Sequence, residues 1–140
     1  MKPSLVKAIG LSMFIIFAAV GALFVLAPDA VLRFMNATGR TLKMIEAPLG
    51  GAGFFPGLAG AYMYVVSVLA WQIFRHPGVR VFPLLLAHAK TASGALSFAL
   101  FLFHRPYFVL LANALVDLGL GLLAISMFRS IKPEAKATGP

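Results

Sequence analysis

The chain lacks cysteine and has few acidic residues. Without cysteine it cannot form disulfides, thiolate metal sites or a cysteine nucleophile. Asp and Glu supply only 4 of 140 residues, and 11% of the chain is charged, whereas soluble domains carry about 25%. These acids and the 3 histidines have neither metal-ligand spacing nor a triad-like arrangement with serine. The sequence therefore predicts no metal centre and no catalytic residue.

Hydrophobic residues make up 61% of the chain and are concentrated in four runs. Each run exceeds the roughly 20 residues with which a helix crosses the hydrocarbon core of a bilayer. The runs are too long for strands and lack their alternation of apolar and polar residues. The predicted spans are residues 5–27, 50–74, 81–103 and 107–128. We therefore predict an all-α fold, an integral membrane four-helix bundle formed by a single domain over residues 1–131.

The connections between the spans differ in length. Short turns at 75–78 and 104–106 make the last three spans antiparallel neighbours. The long connection, 28–49, is predicted to be an amphipathic segment in the membrane interface, with a lid over a cavity as the alternative. In it Asp29 is expected to N-cap a short helix, and Arg40, Lys43 and Glu46 are expected to share a helical face after a break at 36–39. Residues 132–140 form a polar tail that we expect to be disordered.

The net charge of +8 comes mainly from the termini and connections. No basic stripe is interleaved with exposed aromatic residues, so the charge indicates contact with the lipid bilayer and not with nucleic acid. The side that carries both termini has Lys2, Lys7, Arg75, Arg80, Arg129, Lys132 and Lys136, and the other side has Arg33, Arg40, Lys43 and Arg105. The positive-inside rule then predicts an inner-membrane protein with both termini in the cytoplasm. A cleaved signal peptide is the less favoured interpretation of the first run, which is long for a signal core.

Two ionisable residues, Lys90 and Asp117, lie inside predicted spans, where a charge costs on the order of 3 kcal/mol or more. Helical spacing places Lys90 on one stripe with Ser93, Gly94 and Ser97, and Asp117 on another with Asn113 and Gly121. Counting outward from the connecting turn puts Ser97 level with Asn113 and Ser93 level with Asp117. We therefore predict a polar seam between the last two spans, formed by Lys90, Ser93, Ser97, Asn113 and Asp117.

The state of the two charges stays open at the level of sequence. Lys90 lies about 4.5 Å nearer to the predicted cytoplasmic side than Asp117. Helical side chains tilt toward their own N-terminus, which directs these two side chains partly apart. Lys90 could pair with Asp117 or snorkel to the headgroups. Asp117 must pair, bond to a seam residue, meet water or be protonated. The seam could be an interhelical clamp or a proton- or ligand-handling site, to which Tyr62 and His88 are further candidates.

Small residues indicate close helix packing. Gly53, Gly57 and Ala61 repeat every four residues at the entry to the second span, and Gly94 and Gly121 lie on the seam. We expect these positions to pack within the bundle, with a homodimer interface as the alternative. A nucleotide-binding loop is excluded, because no strand precedes the glycines and no Gly-Lys-Ser/Thr follows them. Haem is not expected, since His88 has no second histidine at membrane depth.

The layout of the chain resembles that of a known group. The first span ends at Pro28-Asp29, an amphipathic segment follows, the second span has a glycine-rich entry from Gly50 to Tyr62, and the third span is polar. In these features the chain resembles the DoxX-like group of small four-span bacterial membrane proteins. The resemblance implies a helical bundle and carries over no catalytic residue; some members are linked to quinone-associated oxidoreductases.

Three functions are compatible with the sequence. The first is a non-enzymatic membrane protein, acting as an accessory subunit or a lipid- or small-molecule-binding bundle, with other membrane subunits or further copies of itself as partners. The second is a proton-coupled carrier that uses Asp117 as its titrating group. The third is a redox subunit that works with a quinone as its cofactor. The first hypothesis predicts no cofactor.

Overall fold

The computed structural model describes residues 1–50 and 54–131, with side chains described except at 54–56. Its helices are α1 (Pro3–Leu26), α2 (Pro28–Thr41), α3 (Phe54–Arg75), α4 (Val81–Phe103) and α5 (Phe108–Ser130). All of these except α2 are long and apolar enough to cross a membrane, α3 through residues 57–75. The predicted all-α fold with four candidate spans is confirmed. The tail 132–140 and Gly53 lie outside the described residues.

The four long helices form two antiparallel pairs. The more extensive interfaces are those of α1 with α3 and of α4 with α5, and the contact of α3 with α4 is smaller. The start of α1, the α3–α4 turn and the end of α5 lie at one end of the bundle, which we call the terminal side. At this end Arg80 donates a hydrogen bond of 3.3 Å from Nε to the carbonyl of Phe128. The opposite end carries α2, and we call it the α2 side.

Glycines bring the two helices of each pair close together. A Cβ atom at Gly10 of α1 would lie 2.8 Å from the backbone nitrogen of Phe74 in α3. A Cβ atom at Gly94 of α4 would lie 2.8 Å from Leu118 Cγ in α5. Both distances are shorter than carbon atoms tolerate, so the helices could not approach to this distance with a side chain at either position. Such small-residue contacts replace the hydrophobic driving force, which is absent between helices in lipid.

The expected packing of the glycine-rich entry is not found within the described chain. A Cβ atom at Gly57 would meet no described atom within 4 Å, and Ala61 is exposed. Gly60 faces α1 instead, where its Cβ would lie 2.5 Å from Val25 Cγ2. Gly57 and Ala61 therefore do not pack against another described helix. The face of α3 that α1 covers contains Gly60, which precedes Ala61 by one residue.

The core lies toward the terminal side. On the four long helices, the described buried positions nearest to the α2 side are Gly21, Met63, Gly94 and Ala114. We call the part of the bundle between these residues and the terminal side the packed half. The remaining part of the long helices, toward α2, is the open half, and the described side chains of these helices are half-buried or exposed there. The mid-depth of the bundle is therefore a boundary between two environments.

The long connection differs from its sequence-based prediction. α2 runs without a break through 36–39 to Thr41, and the chain then turns with Lys43 at a φ of 56°. The expected second helix around residues 40–46 is wrong, and Arg40 reaches Glu46 at 3.4 Å across this turn. The predicted N-cap is also wrong, because Asp29 lies in the first turn of α2, where Pro28 already supplies a helical φ.

Asn36 fixes the chain that follows α2. Its Nδ2 donates to the carbonyl of Ala47 at 2.8 Å, and its Oδ1 accepts from the Ala47 amide at 2.9 Å. Both residues are buried. Beyond this clamp Ile45 forms a backbone bridge to Tyr107 at the start of α5. One amide side chain thus satisfies both backbone polar groups of a residue that lies outside the helices.

Replacing Asn36 with leucine should release this segment. Asn36→Leu keeps the branched shape of the side chain but leaves both backbone polar groups of Ala47 unsatisfied, at a cost of about 1–3 kcal/mol for each. Hydrogen exchange of the Ala47 amide in detergent micelles should accelerate accordingly. Thr38→Val is the control, because the Thr38 hydroxyl bonds only to the Phe34 carbonyl of its own helix. Equal exchange at Ala47 in the two variants would contradict the clamp.

The close approach of α1 and α3 can be tested at Gly10. In Gly10→Ala the new methyl group would collide with backbone atoms of Phe74 and Ala70, which cannot rotate away. We expect the free energy of unfolding in mixed micelles to fall by about 1–3 kcal/mol. Gly119→Ala is the control, because a Cβ there meets no described atom within 4 Å. Because alanine has the higher helix propensity, Gly119→Ala should be neutral or slightly stabilising. A loss in Gly119→Ala as large as that in Gly10→Ala would contradict packing as the cause.

Candidate functional site

Lys90 and Asp117 form a buried ion pair at mid-depth. Lys90 Nζ lies 2.9 Å from Asp117 Oδ1, and the two side chains are 3% and 4% exposed. Each residue is the tenth of its helix, so each lies about 13.5 Å from the helix start at 1.5 Å per residue. Snorkelling of Lys90 is therefore wrong. The flexible four-carbon stem of lysine spans the offset in depth that made pairing uncertain from sequence.

Aromatic rings from the other helix pair face the ammonium group. Lys90 Nζ is 4.5 Å from the ring centroid of Phe17 in α1 and 5.0 Å from that of Tyr62 in α3. A desolvated cation gains about 2 kcal/mol from such a ring. The Tyr62 hydroxyl donates to the carbonyl of Ala89 at 3.0 Å, which joins α3 to α4 beside the pair. Four helices therefore meet at one charged group.

The spacing of glycines explains why the pair can form. Gly94 follows Lys90 by four residues and Gly121 follows Asp117 by four, so each charge lies one turn from a close contact on its own stripe. A Cβ atom at Gly121 would lie 2.7 Å from Thr91 Oγ1, in the turn of α4 that carries Lys90. The charged side chains are brought together by the same contacts that exclude lipid and water from the helix interface.

A second polar group lies nearer to the α2 side. Asn113 Nδ2 is 2.7 Å from Ser97 Oγ and 3.4 Å from Ser93 Oγ. Asn113 and Ser97 lie level across the seam, as counting from the turn places them. Asn113 is nevertheless exposed and both serines are only half-buried. Asn113 and Ser97 are in the open half, about 7.5 Å or more from the nearest helix end at 1.5 Å per residue. Ser93 precedes Gly94 and lies at the edge of the packed half.

One oxygen of the pair has no partner. Asp117 Oδ2 is buried and accepts no hydrogen bond from the described residues. A buried acceptor without a donor costs about 1–3 kcal/mol, and more when it is charged. Asp117 lies three residues after Ala114, the buried residue of α5 that is nearest to the open half. The free acceptor thus lies next to the level at which the helix pairs cease to cover polar groups.

The structure divides the predicted site residues into three sets. Lys90, Asp117 and Tyr62 form one contact group, and Ser93, Ser97 and Asn113 form another. His88 is exposed on a different face of α4 and takes no part in either group. Phe17 belongs to the site although no polar signal marked it. The run Val6, Gly10, Met13, Phe17 and Gly21, at spacings of three and four, was the available signal for the buried face of α1.

Metal-binding geometry does not occur in the part of the chain that the structure describes. There no three His, Asp or Glu side chains come close enough to hold an ion. What the site offers is one neutralised ion pair, one free carboxylate oxygen, and hydroxyl and amide groups. These groups can bind a ligand by hydrogen bonding or fix the helices, and the carboxylate can accept a proton.

Comparison of the chain with protein-family models, with curated proteins and with solved structures finds no match. The resemblance to the DoxX-like group accordingly stays a prediction from the layout of the sequence.

A double-mutant cycle should show that the two charges depend on each other. Lys90→Met strands the Asp117 carboxylate and should cost about 3–5 kcal/mol of unfolding free energy in micelles. The double variant Lys90→Met/Asp117→Leu removes both charges and should recover most of this loss. Arg40→Gln is the control, because it removes an ion pair that is 65% and 51% exposed and should change stability little. The second single variant is Asp117→Leu. If the double variant loses as much unfolding free energy as the two single variants together, the two charges act independently and the pair is contradicted.

Proposed function

We propose that the protein is a non-enzymatic, multi-pass protein of the cytoplasmic membrane that binds a small molecule along the polar seam, alone or as an accessory subunit. The observation that carries the proposal is the open half of the seam. There Asn113 and its partner Ser97 lack full cover, about one turn from the free oxygen of Asp117. Polar groups at membrane depth are costly unless something covers them.

The chemistry of the seam limits what the ligand can be. Asp117 Oδ2 can accept a hydrogen bond from a ligand. Asn113 and the serine hydroxyls can both donate and accept. Lys90 already balances the charge of Asp117, so a cationic ligand gains no net attraction from the pair. A neutral amphiphile with a hydroxyl or amide group, and an apolar remainder in contact with lipid, fits this arrangement.

The orientation in the membrane is part of the proposal. The described helices place the start of α1, the α3–α4 turn and the end of α5 on one side, with five described Lys and Arg residues against four on the α2 side. The sequence adds Lys132 and Lys136 after the end of α5. This excess supports cytoplasmic termini by the positive-inside rule. The open half of the seam then faces the outer leaflet, and the ligand enters from that side.

A proton-coupled carrier is the second candidate, because Asp117 Oδ2 is a buried acceptor beside the open half. The 2.9 Å contact with Lys90 opposes this function, because protonation of Asp117 would leave the buried ammonium group without its charged partner. A carrier would have to break the pair in each cycle. The binding function requires no such step, and we favour it for that reason.

The binding proposal can be tested at Asn113. Mass spectrometry of gently solubilised protein should detect a co-purifying small molecule, and Asn113→Ala should lower its occupancy about fivefold for one lost hydrogen bond. Ser126→Ala is the matched control, since Ser126 is exposed on α5 and bonds only to its own helix at Leu122. Equal occupancy in the two variants would contradict binding at the seam.

The carrier is distinguished by Asp117→Asn in proteoliposomes. Asparagine keeps the size of the side chain and an oxygen for Lys90 but cannot titrate. A pH-dependent flux that the wild-type protein shows and a folded Asp117→Asn variant lacks would establish the carrier and refute the binding function as the primary one. We expect no such flux in either protein.

A further inference from the structure

We propose that a groove between α1 and α3 binds one acyl chain of an anionic phospholipid, whose phosphate lies between Lys7 and Arg75. This groove is on the other helix pair from the polar seam. The proposal therefore does not depend on the proposed ligand of the seam, and either can fail alone.

The groove is apolar and formed by small side chains. It has a volume of about 570 Å³ and lies between the faces that include Ala18, Gly21 and Ala22 of α1 and Gly60, Ser67 and Val68 of α3. The hydroxyl of Ser67 is already bonded to the Met63 carbonyl of its own helix at 2.6 Å, so it presents no unsatisfied group. The lining carries two other polar groups, the hydroxyl of Tyr64, which is 71% exposed, and the indole N–H of Trp71. The rest of the groove can hold a hydrocarbon chain without burying an unpaired polar atom.

The groove is long enough to take the inner part of one acyl chain. Its lining residues on α1 extend from Phe14 to Leu26, about 18 Å at 1.5 Å per residue. One leaflet contributes about 15 Å of the roughly 30 Å hydrocarbon core. Trp71, at the terminal-side end of the groove, lies four residues or about 6 Å from Arg75 at the end of α3. An acyl chain of one leaflet that begins at the level of Arg75 therefore enters the groove at Trp71 and follows it for about 9 Å.

Aromatic rings connect the groove to two basic residues. Phe14 and Trp71 line its end toward the terminal side, with ring centroids 5.1 Å apart, and Trp71 contacts Phe74 at 5.1 Å. Lys7 Nζ lies 5.1 Å from the Phe74 ring, and Arg75 Cζ lies 5.8 Å from the Trp71 ring. Tryptophan at this depth is typical of the headgroup level of a bilayer.

The two cations are available to an anion. They lie on opposite sides of the helix interface, at the first turns of α1 and the last residue of α3, and both are exposed. Among the described residues the ion pairs are Arg40–Glu46 and Lys90–Asp117, so neither Lys7 nor Arg75 has an acidic partner there. An apolar groove that leads to two such cations complements the tail and the phosphate of an anionic lipid. A second protein copy would need an acidic partner at the same place.

The test compares phosphatidylglycerol with phosphatidylcholine on the purified full-length protein, by native mass spectrometry in detergent and by quenching of Trp71 fluorescence with lipids brominated on the acyl chain. We expect phosphatidylglycerol to bind more tightly. Arg75→Gln should weaken its binding about fivefold, the effect of one charge near an anionic lipid. Arg129→Gln is the matched control, because it removes an exposed arginine from the last turn of another spanning helix on the same side.

The groove is tested separately by Ala18→Phe, which fills it from an exposed position on α1. This variant should lose binding and quenching by both lipids. Three results would overturn the proposal: equal binding of the two lipids, equal effects of Arg75→Gln and Arg129→Gln, or wild-type binding by Ala18→Phe. A dimer in lipid-free detergent that Ala18→Phe converts to a monomer would assign the groove to a second copy and would also overturn it.

Discussion

The architecture depends on one buried charge, the ammonium group of Lys90. Within its own helix pair Lys90 is bonded to Asp117, and across the bundle it contacts the rings of Phe17 and Tyr62. The interface between the two helix pairs is smaller than the interface within each pair. The ammonium group therefore connects the two pairs where packing contacts are fewest. Burial of an ion pair adds little net stability when both charges are counted, but loss of one partner is costly. The pair therefore specifies how the helix pairs are arranged more than it stabilises them.

Glycine is what makes this specification possible. A buried pair needs close helices so that lipid and water are excluded, and Gly94 and Gly121 provide the approach one turn from each charge. The same device recurs between α1 and α3, where Gly10 lies against the backbone of Phe74. Contacts of this kind have one register, since a shift by a residue would put a side chain where none fits. Charge and glycine spacing thus fix the same alignment of α4 and α5.

The sequence predicts the helices and the existence of the seam because both follow from periodicity and length alone. It leaves the Lys90–Asp117 contact open, since two helical side chains that tilt apart can still meet when one has a long flexible stem. Phe17 could not be singled out, because its role comes from a neighbour on another helix. The course of α2 was predicted wrongly for a similar reason: Asn36 looks like a helix breaker, and its long-range bonds to Ala47 are invisible to local patterns. Residues whose role depends on a distant partner are those that sequence reasoning misses.

Phe17 also connects the two surfaces to which we assign ligands. Its ring faces Lys90 on one side and lines the α1–α3 groove on the other, and it is only 2% exposed. A lipid chain bound in the groove, as we propose, would contact this ring and oppose rotamers that move it off the ammonium group. By thermodynamic linkage, an intact ion pair would then favour the lipid by the same free energy with which the lipid favours the pair. The groove and the seam are on different helix pairs, but Phe17 would make lipid binding in the groove depend on the ion pair of the seam.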